Sequence, residues 1–324
     1  MNRKNIWGAF HSSNFVQKLL YDHYIEQGRT DAEKKSYENS YALIYYLEHG
    51  ESFYKTAHSA PLAVKPVLLF YGMVQLLKAC LLAVNPDYPE STSVLAHGVS
   101  TRKRKKQNYD FFEDEVKIQK HGLFTYFSEK MFHVKHIHGE KFQMKELLKK
   151  ICELHDLFLL YFNHPLSIEI IYNELEKQLL IPIQILDKYH LTVERWVELI
   201  VKKFPFLQHT SNKKEAFIIF SFSPEEKISQ LIDEPFMFNI EKNCYVCSIE
   251  RTNSFPDHEI IAHYLLLYNL SMICRYETEW WNDLLHSYSS DAYPFVVKFL
   301  SVTEEKVPFL LHKYLIKKLV KEID

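Results

Sequence analysis

Five consecutive basic residues are the part of this sequence whose types and spacing best suit chemistry with an anion. Arg102, Lys103, Arg104, Lys105 and Lys106 stand inside a chain of 324 residues whose formal net charge is only -2. Arginine binds phosphate oxygens through two parallel hydrogen bonds, and lysine adds a mobile point charge. The run therefore predicts a binding site for phosphates or for an acidic partner surface.

Four nearby residues could complete such a site. Lys117 and Lys120 follow the run on a predicted short strand and could close the opposite side of a pocket. His97 and Tyr109 flank the run, and either ring could stack on a base. The combination suits a nucleotide that carries a pyrophosphate group.

Two other interpretations of the basic run stay open. Carboxylates follow it closely and could neutralise much of its field, at Asp110, Glu113, Asp114 and Glu115. The run would then be a solvated surface loop, or it could contact a protein partner. Dedicated DNA binding is not expected, because the chain as a whole lacks the excess of basic residues that DNA-binding domains carry.

Arg251 and His258 have the spacing seen in HEPN-type ribonucleases, in which the arginine stabilises the phosphate and the histidine transfers a proton. Pro256 prevents one continuous helix from carrying both residues. Thr252 also replaces the polar amide that usually follows the arginine. A HEPN-like ribonuclease is thus an alternative function.

Other reactive side chains give weaker patterns. Cys244 and Cys247 form a single CxxC pair without a second pair, and on a regular strand the two would point to opposite faces. Another group could offer imidazole ligands beside a carboxylate: His133, His136, His138 and Glu140. Surface histidines are commoner than metal sites, and the sequence has no phosphate-loop, dinucleotide or nucleophile-elbow motif. We expect no metal, no cofactor and no catalytic residues.

The composition predicts a soluble, globular protein. Hydrophobic residues make up 47% of the chain and aromatic residues 15%, whereas only 7 residues are glycine. We find no signal-peptide pattern and no apolar stretch near the roughly 20 residues that cross a bilayer. Five scattered cysteines suit a reducing compartment, so we expect a cytoplasmic protein without membrane association.

Apolar periodicity predicts an α+β fold that is mostly α-helical. We expect a helical region at 1–95, a mixed centre with the basic run and a hairpin at 96–250, and a helical region at 251–324, all in one compact unit. Predicted helices include one ending at Gly50, one from Pro66 to Val84, one over 142–163 and a last pair at 293–300 and 308–321. The helix over 142–163 has a predicted buried apolar stripe at Leu147, Leu148, Ile151, Leu154 and Phe158.

Two further helices are predicted, one around Thr192 to Lys203 with Thr192 as its N-cap and one from Glu259 to Trp281. Arg275, on the second of these, could form an ion pair with Glu277 or Glu279 or be a second arm of the anion site.

Several segments resemble the YaaC family of Firmicutes over essentially the whole chain: 36–41, 65–73, 95–98, 101–106, 115–120, 263–268 and 275–277. The resemblance implies a cytoplasmic protein without an established catalytic signature. It also implies a gene that lies beside the gene for IMP dehydrogenase.

Together these observations predict a non-enzymatic regulator of guanine nucleotide metabolism. It would bind an anionic guanine nucleotide such as (p)ppGpp through the basic run, and a partner enzyme, with IMP dehydrogenase as the first candidate. The alternatives are the HEPN-like ribonuclease and an interaction scaffold that binds no nucleotide. The sequence leaves the oligomeric state open.

Overall fold

The structure, a computed structural model, describes residues 7–101, 109–210, 216–223, 228, 234–249, 258–288 and 290–320. The chain divides into two compact units: the first unit holds Met1–Leu147 and Ile260–Asp324, and the second holds Leu148–Glu259. The expectation that the whole chain forms one compact unit stays a prediction.

The described residues are mostly helical with small antiparallel sheets, which confirms the predicted fold class. The helices are α1 Ser13–Glu26, α2 Ala32–Ser59, α3 Lys65–Val84, α4 Leu123–Phe132, α5 Met144–Leu148, α6 His155–Phe162, α7 Ile185–Tyr189, α8 Val193–Lys203, α9 Glu259–Tyr276, α10 Thr278–Ser287 and α11 Ala292–Leu319. The strands are β1 Val99–Ser100, β2 Glu115–Ile118, β3 Lys141–Gln143, β4 Ser167–Glu169, β5 Ile171–Asn173, β6 Gln178–Pro182, β7 Leu207–Thr210, β8 Phe217–Phe222, β9 Phe236–Asn239 and β10 Cys244–Ser248.

Two glycines bring α2 and α3 of the first unit into close contact. A Cβ atom on Gly50 would lie 2.7 Å from Cδ2 of Leu76, and one on Gly72 would lie 2.8 Å from Cε2 of Tyr54. The predicted helix end at Gly50 is therefore wrong. This glycine stands inside α2 because the packing of α3 leaves no space for a side chain, and tertiary contacts outweigh its low helix propensity.

Helix α3 has the bounds that its flanking prolines predicted. Pro66 occupies the first turn, where its missing N–H costs nothing, and Asn85 caps the end before Pro86. The expectation that no apolar stretch approaches the length of a membrane span is wrong for α3, whose 20 residues and mean hydropathy of 2.1 would let it cross a membrane. However, 67% of its most apolar 18-residue window is buried within the protein. An apolar core helix gives the same pattern, and α3 has that position here.

The sheet of the first unit has the strand order β1-β2-β3, with both pairs antiparallel. Val99 pairs with Ile118 of β2, while Val116 pairs with Phe142 of β3. These four side chains are buried. Because strand residues alternate between faces, the intervening residues Ser100, Lys117 and Lys141 share the other face.

The predicted helix over 142–163 is wrong, because this stretch contains β3, α5, a short 3-10 turn at Cys152–Leu154 and α6. The predicted apolar stripe is nevertheless buried throughout: Leu147, Leu148, Ile151, Leu154 and Phe158. Two other boundaries also differ. The helix predicted to run on through Trp281 is divided at Glu277 into α9 and α10, and α11 continues unbroken through Pro308. Val307 and Leu311, on either side of that proline, are fully buried, and this packing offsets the lost hydrogen bond.

The second unit contains two antiparallel sheets with the orders β4-β10-β9 and β5-β6-β8-β7. Trp196 of α8 packs against Phe220 of β8, with ring centroids 6.0 Å apart, in the centre of its largest apolar cluster. Helix α8 begins as the sequence predicts, since Thr192 Oγ1 accepts a hydrogen bond from the N–H of Arg195.

Candidate anion-binding site

A cavity of about 460 Å³ lies in the first unit, next to the point where the chain enters the basic run. Its described lining residues are Ser100, Thr101, Glu113, Asp114, Glu115, Lys117 and Lys141. Arg102, Lys103, Arg104, Lys105 and Lys106 lie outside the described residues. Thr101, a lining residue, immediately precedes the run in sequence.

Tyr109, three residues after the run in sequence, is bonded to the lining of the same cavity. Its hydroxyl donates a hydrogen bond of 2.7 Å to Oδ2 of Asp114, a cavity-lining residue. Thr101, just before the run, and Tyr109, just after it, therefore both belong to the cavity or contact its lining.

Two lysines face each other across the sheet at this cavity. Lys117 of β2 is the direct cross-strand partner of Lys141 of β3. Like charges in this position repel each other. Lys141 is compensated because its Nζ lies 2.7 Å from Oε2 of Glu115, whereas no described carboxylate forms an ion pair with Lys117. Lys117 is exposed, so its ammonium group can bind an anion in the cavity.

Asp114 organises the acidic side of the cavity. Its Oδ2 accepts hydrogen bonds from Tyr109 and from Nδ2 of Asn269, and its Oδ1 accepts the N–H of Glu115. Burial, followed by the charge of Asp114, raises the pKa of Tyr109 well above its ordinary value, so the phenol stays a donor. The ring of Tyr109 also packs edge-on against Trp280 at 4.6 Å. Asp114 and Trp280 therefore hold the Tyr109 side chain, and its predicted stacking on a base stays untested.

The structure places the other two predicted ligands away from the described cavity lining. Lys120 is exposed just beyond β2. The ring of His97 lies among aromatic side chains, with centroids 5.0 Å from Phe70, 5.8 Å from Tyr268 and 6.1 Å from Tyr71. Of the ligand residues predicted from sequence, the structure thus places Lys117 in the cavity lining and Tyr109 in contact with the lining residue Asp114.

The cysteine pair packs as two separate thiols. Cys247 is fully buried in the largest apolar cluster of the second unit, while Cys244 packs against the small cluster of Cys152, Met237 and Val246. Burial raises the pKa of both thiols. This arrangement confirms the expected opposite orientation on the strand.

The histidine group does not converge. His133 and His138 are exposed, whereas the ring of His136 packs 4.8 Å from that of Phe124. Nδ1 of His136 lies 3.5 Å from Oε2 of Glu140, which makes a single ion-pair contact and no cluster of imidazoles. For the ribonuclease pattern, Arg251 lies outside the described residues, and His258 is only 6% exposed.

One group of ligand-type side chains was missed by sequence reasoning. Cys152, Glu153 and Glu259 of the second unit place one ligand atom each within 4.8 Å of one another, and all three are buried. Glu153 has a structural role, because its Oε1 accepts the N–H of Ile240 at the turn after β9. Cys152 and Glu153 are adjacent in sequence but Glu259 is distant from both, so no sequence spacing indicates the group.

The comparison with protein families identifies the chain. Residues 8–315 match the family model described as YaaC-like Protein, so this chain belongs to the YaaC-like family. No curated protein matches it. No solved structure matches it either.

Proposed function

We propose that this protein is a non-enzymatic, cytoplasmic regulator that binds a guanine nucleotide such as (p)ppGpp. The binding would control its association with a partner enzyme, with IMP dehydrogenase as the first candidate. The observation that carries the proposal is the cavity lined by Thr101, Asp114 and Lys117, whose lining contains or contacts the residues that flank the basic run in sequence. Its volume falls within the roughly 300–1,000 Å³ of small-molecule sites.

Two sets of positive charges would bind the nucleotide phosphates, one on the sheet and one on the basic run. Lys117 offers an uncompensated ammonium group from the sheet, and the basic run adds two guanidinium groups suited to bidentate contacts with phosphate. Lys141 is already paired with Glu115, so it contributes less. The phosphates are therefore expected between Lys117 and the run.

The acidic residues of the cavity would allow nucleotide binding to change the arrangement of charge at the site. Glu113 and Glu115 line the same cavity and attract the cations of the run when no nucleotide is present. Nucleotide phosphates compete with these carboxylates for the same cations. Binding thus favours one of two arrangements of charge, and a partner that contacts one arrangement better is regulated by linkage.

Calorimetric titration with GTP, GDP, IMP and ppGpp at physiological salt tests the proposal. We expect saturable binding of one guanine nucleotide with a Kd on the order of micromolar. Replacing Arg102, Arg104 and Lys105 together by alanine should weaken it by at least about 100-fold, and Lys117→Ala by about tenfold. Lys55→Ala, an exposed lysine on α2 paired with Glu51, is the matched control and should change nothing.

Two results would overturn the nucleotide proposal. One is the absence of binding below about 1 mM for every nucleotide. The other is binding that the triple alanine variant retains in full. If binding is confirmed, partner affinity should change with nucleotide by the same factor by which the partner changes nucleotide affinity.

A row of exposed tyrosines favours the scaffold as the second candidate. Tyr37, Tyr41 and Tyr45 stand four residues apart on α2 and are 62%, 47% and 60% exposed. Neighbouring ring centroids lie 6.5 and 6.2 Å apart. Exposed tyrosines are typical anchors at protein interfaces. Replacing all three by serine should abolish partner capture under both proposals, but nucleotide-insensitive capture by the wild type would favour the scaffold.

A further inference from the structure

Three buried ligand-type side chains of the second unit lie close enough together to hold one metal ion. Sγ of Cys152 and one carboxylate oxygen each of Glu153 and Glu259 all lie within 4.8 Å of one another. The exposed fractions of the three residues are 0%, 5% and 8%. Two carboxylates this close repel each other, and a divalent cation bound between them removes that repulsion.

The spacing of Cys152 and Glu153 is that of two ligands on one tetrahedral zinc ion. Zn²⁺ binds thiolate sulfur at about 2.3 Å and carboxylate oxygen at about 2.0–2.2 Å, so two such ligands at the tetrahedral angle lie about 3.5–3.7 Å apart. Sγ of Cys152 lies 3.5 Å from Oε2 of Glu153, to which the thiol donates a hydrogen bond. A zinc ion can therefore replace the thiol proton, which leaves to solvent, without moving the two side chains apart.

The backbone holds the other oxygen of Glu153. Its Oε1 accepts a hydrogen bond of 2.9 Å from the N–H of Ile240, at the turn that follows β9, while Oε2 faces Cys152. Hydrogen bonds from outside the coordination sphere orient metal ligands in this way and strengthen metal binding. Glu153 can thus bind a metal through Oε2 and keep its bond to the backbone through Oε1.

Cys244 of β10 is placed to be the fourth ligand. It packs against the small apolar cluster that contains Cys152. Burial is the main cause that raises the pKa of Cys244, and the charges of Glu169 and Glu153 add to it, so this thiol also lies near the carboxylate of Glu153. Cys247, three residues later on the strand, belongs to the other apolar cluster of the second unit. Only one thiol of the CxxC pair is therefore on the side of Cys152.

We propose that Cys152, Glu153, Cys244 and Glu259 form a zinc site in the second unit. Two thiolates and two carboxylates in a tetrahedral set suit Zn²⁺, whereas Mg²⁺ and Ca²⁺ prefer oxygen ligands alone. With four buried protein ligands the site is structural, and it joins the turn at Cys152–Leu154 to β10. The proposal departs from the expectation, drawn from sequence, that the protein binds no metal. The zinc site shares no residue with the proposed nucleotide site, so its test is independent of that site.

Co²⁺ is the best probe, because it occupies tetrahedral zinc sites and absorbs light in a charge-transfer band when thiolates bind it. The full-length protein is treated with EDTA, kept reduced with a phosphine and titrated with Co²⁺ at about pH 7.5. We expect the band to saturate at about one ion per chain. Zn²⁺ should then displace Co²⁺, since Zn²⁺ loses no preferred geometry in a tetrahedral site. Affinity should fall as pH is lowered, because protons compete for the thiolates.

Single substitutions assign the band to the site. Cys152→Ser and Cys244→Ser should each reduce its intensity at saturation to about half, because one thiolate remains. Glu259→Gln should weaken Co²⁺ binding at least about tenfold and leave the intensity at saturation unchanged. Cys247→Ser is the matched control, because it removes a buried thiol of the same strand that packs in the other cluster. This control should change neither the band nor the affinity.

Two outcomes would overturn the zinc site. The first is a wild-type protein that shows no thiolate charge-transfer band with Co²⁺ in about tenfold excess over protein. The second is a band that Cys152→Ser and Glu259→Gln both retain at the intensity and affinity of the wild type. A urea titration adds a readout that needs no variant: Zn²⁺ should raise the unfolding midpoint of the wild type and EDTA should reverse the rise, since the metal binds the folded unit. An unchanged midpoint at saturating Zn²⁺ would contradict the structural role.

Discussion

Asn269 of α9 donates a hydrogen bond of 2.9 Å from its fully buried amide to Oδ2 of Asp114, the oxygen that also accepts the Tyr109 hydroxyl. The carboxylate thus connects Tyr109, three residues after the basic run in sequence, to a core helix of the first unit. Because this carboxylate and the Asn269 amide are buried, their hydrogen bond stabilises the first unit.

Asp114→Asn should destabilise the first unit although it changes almost no volume. The neutral amide removes the charge that strengthens three hydrogen bonds, and its NH₂ group would face another donor. We expect a loss of about 1–3 kcal/mol in the free energy of unfolding, measured by urea titration. Glu113→Gln, at an exposed residue of the same cavity, should stay within about 0.5 kcal/mol. Equal effects of the two changes would argue against the central role of Asp114.

Gly122→Ala should disrupt the loop that carries His97. A Cβ atom on Gly122 would lie 2.3 Å from the Cα and N atoms of Gly98, and its φ of 139° is open to glycine alone. Backbone cannot yield as a flexible side chain can, so we expect a loss of at least about 3 kcal/mol, or no folded protein. Circular dichroism with thermal unfolding measures the effect.

Gly28→Ala is the control for Gly122→Ala, because it has the backbone strain without the steric clash. Gly28 has a φ of 77°, but a Cβ atom there would meet nothing within 4 Å. Gly28→Ala should therefore lower the free energy of unfolding only by the strain of the left-handed conformation, about 1 kcal/mol. A Gly122→Ala variant that is no less stable than Gly28→Ala would show that the loop tolerates separation from Gly98.

Local sequence signals predicted the helices and strands. Contacts between residues distant in sequence determined where some of these elements end and how they pack. Pro66 and Pro86 bound α3 correctly, since proline acts through its own backbone. Nothing in the sequence could show that Gly50 meets Leu76, so the helix end predicted there was wrong. Over 142–163 the apolar residues were rightly placed in the core, but strand pairing with β2 took residues 141–143 out of the helical pattern.

The candidate site shows the same limit. Lys117 was found because it follows the basic run closely on an alternating strand. Lys141 was missed because only the register of β2 and β3 brings it opposite Lys117. The Asp114–Asn269 bond joins residues 155 apart, and one sequence gives no sign of it.

Glu234→Gln should strongly destabilise the second unit. Nζ of Lys150 lies 2.9 Å from Oε1 of Glu234, and the two side chains are only 5% and 11% exposed. Removing one charge of a buried pair takes a close counter-charge from the other, which costs about 3–5 kcal/mol. The double variant Lys150→Met/Glu234→Gln should recover most of that loss, because no unpaired buried charge remains.

Chemical denaturation of the two single variants and the double variant gives the coupling energy of this pair. Arg195→Met with Glu198→Gln is the matched exposed pair on α8, with side chains 60% and 66% exposed. Its coupling should be below about 1 kcal/mol. A double variant of Lys150 and Glu234 that is less stable than both single variants would contradict the argument.

His155 should make the second unit less stable in mild acid. Its Nδ1 accepts the N–H groups of Leu166 and Ser167 at 3.2 and 3.3 Å, which requires an unprotonated nitrogen. Burial is the main cause that lowers the pKa of His155 below 6.5. Between the lowered pKa and about pH 6.5, His155 of the unfolded chain binds a proton that His155 of the folded unit does not bind. The stabilising contribution is therefore complete above about pH 6.5 and is lost as pH falls towards the lowered pKa.

Comparison with His155→Asn isolates this contribution, because His23, His97 and His136 also have lowered pKa values and affect both proteins alike. At about pH 7.5 the variant should be less stable by about 1 kcal/mol, since the asparagine oxygen replaces the nitrogen imperfectly. The difference should shrink towards about pH 5, with a slope of at most about 1.4 kcal/mol per pH unit. Urea unfolding at several pH values measures it, and His190→Asn controls for removal of an exposed imidazole. A stability difference between wild type and His155→Asn that grows as pH falls would show that the folded unit holds His155 in its protonated form.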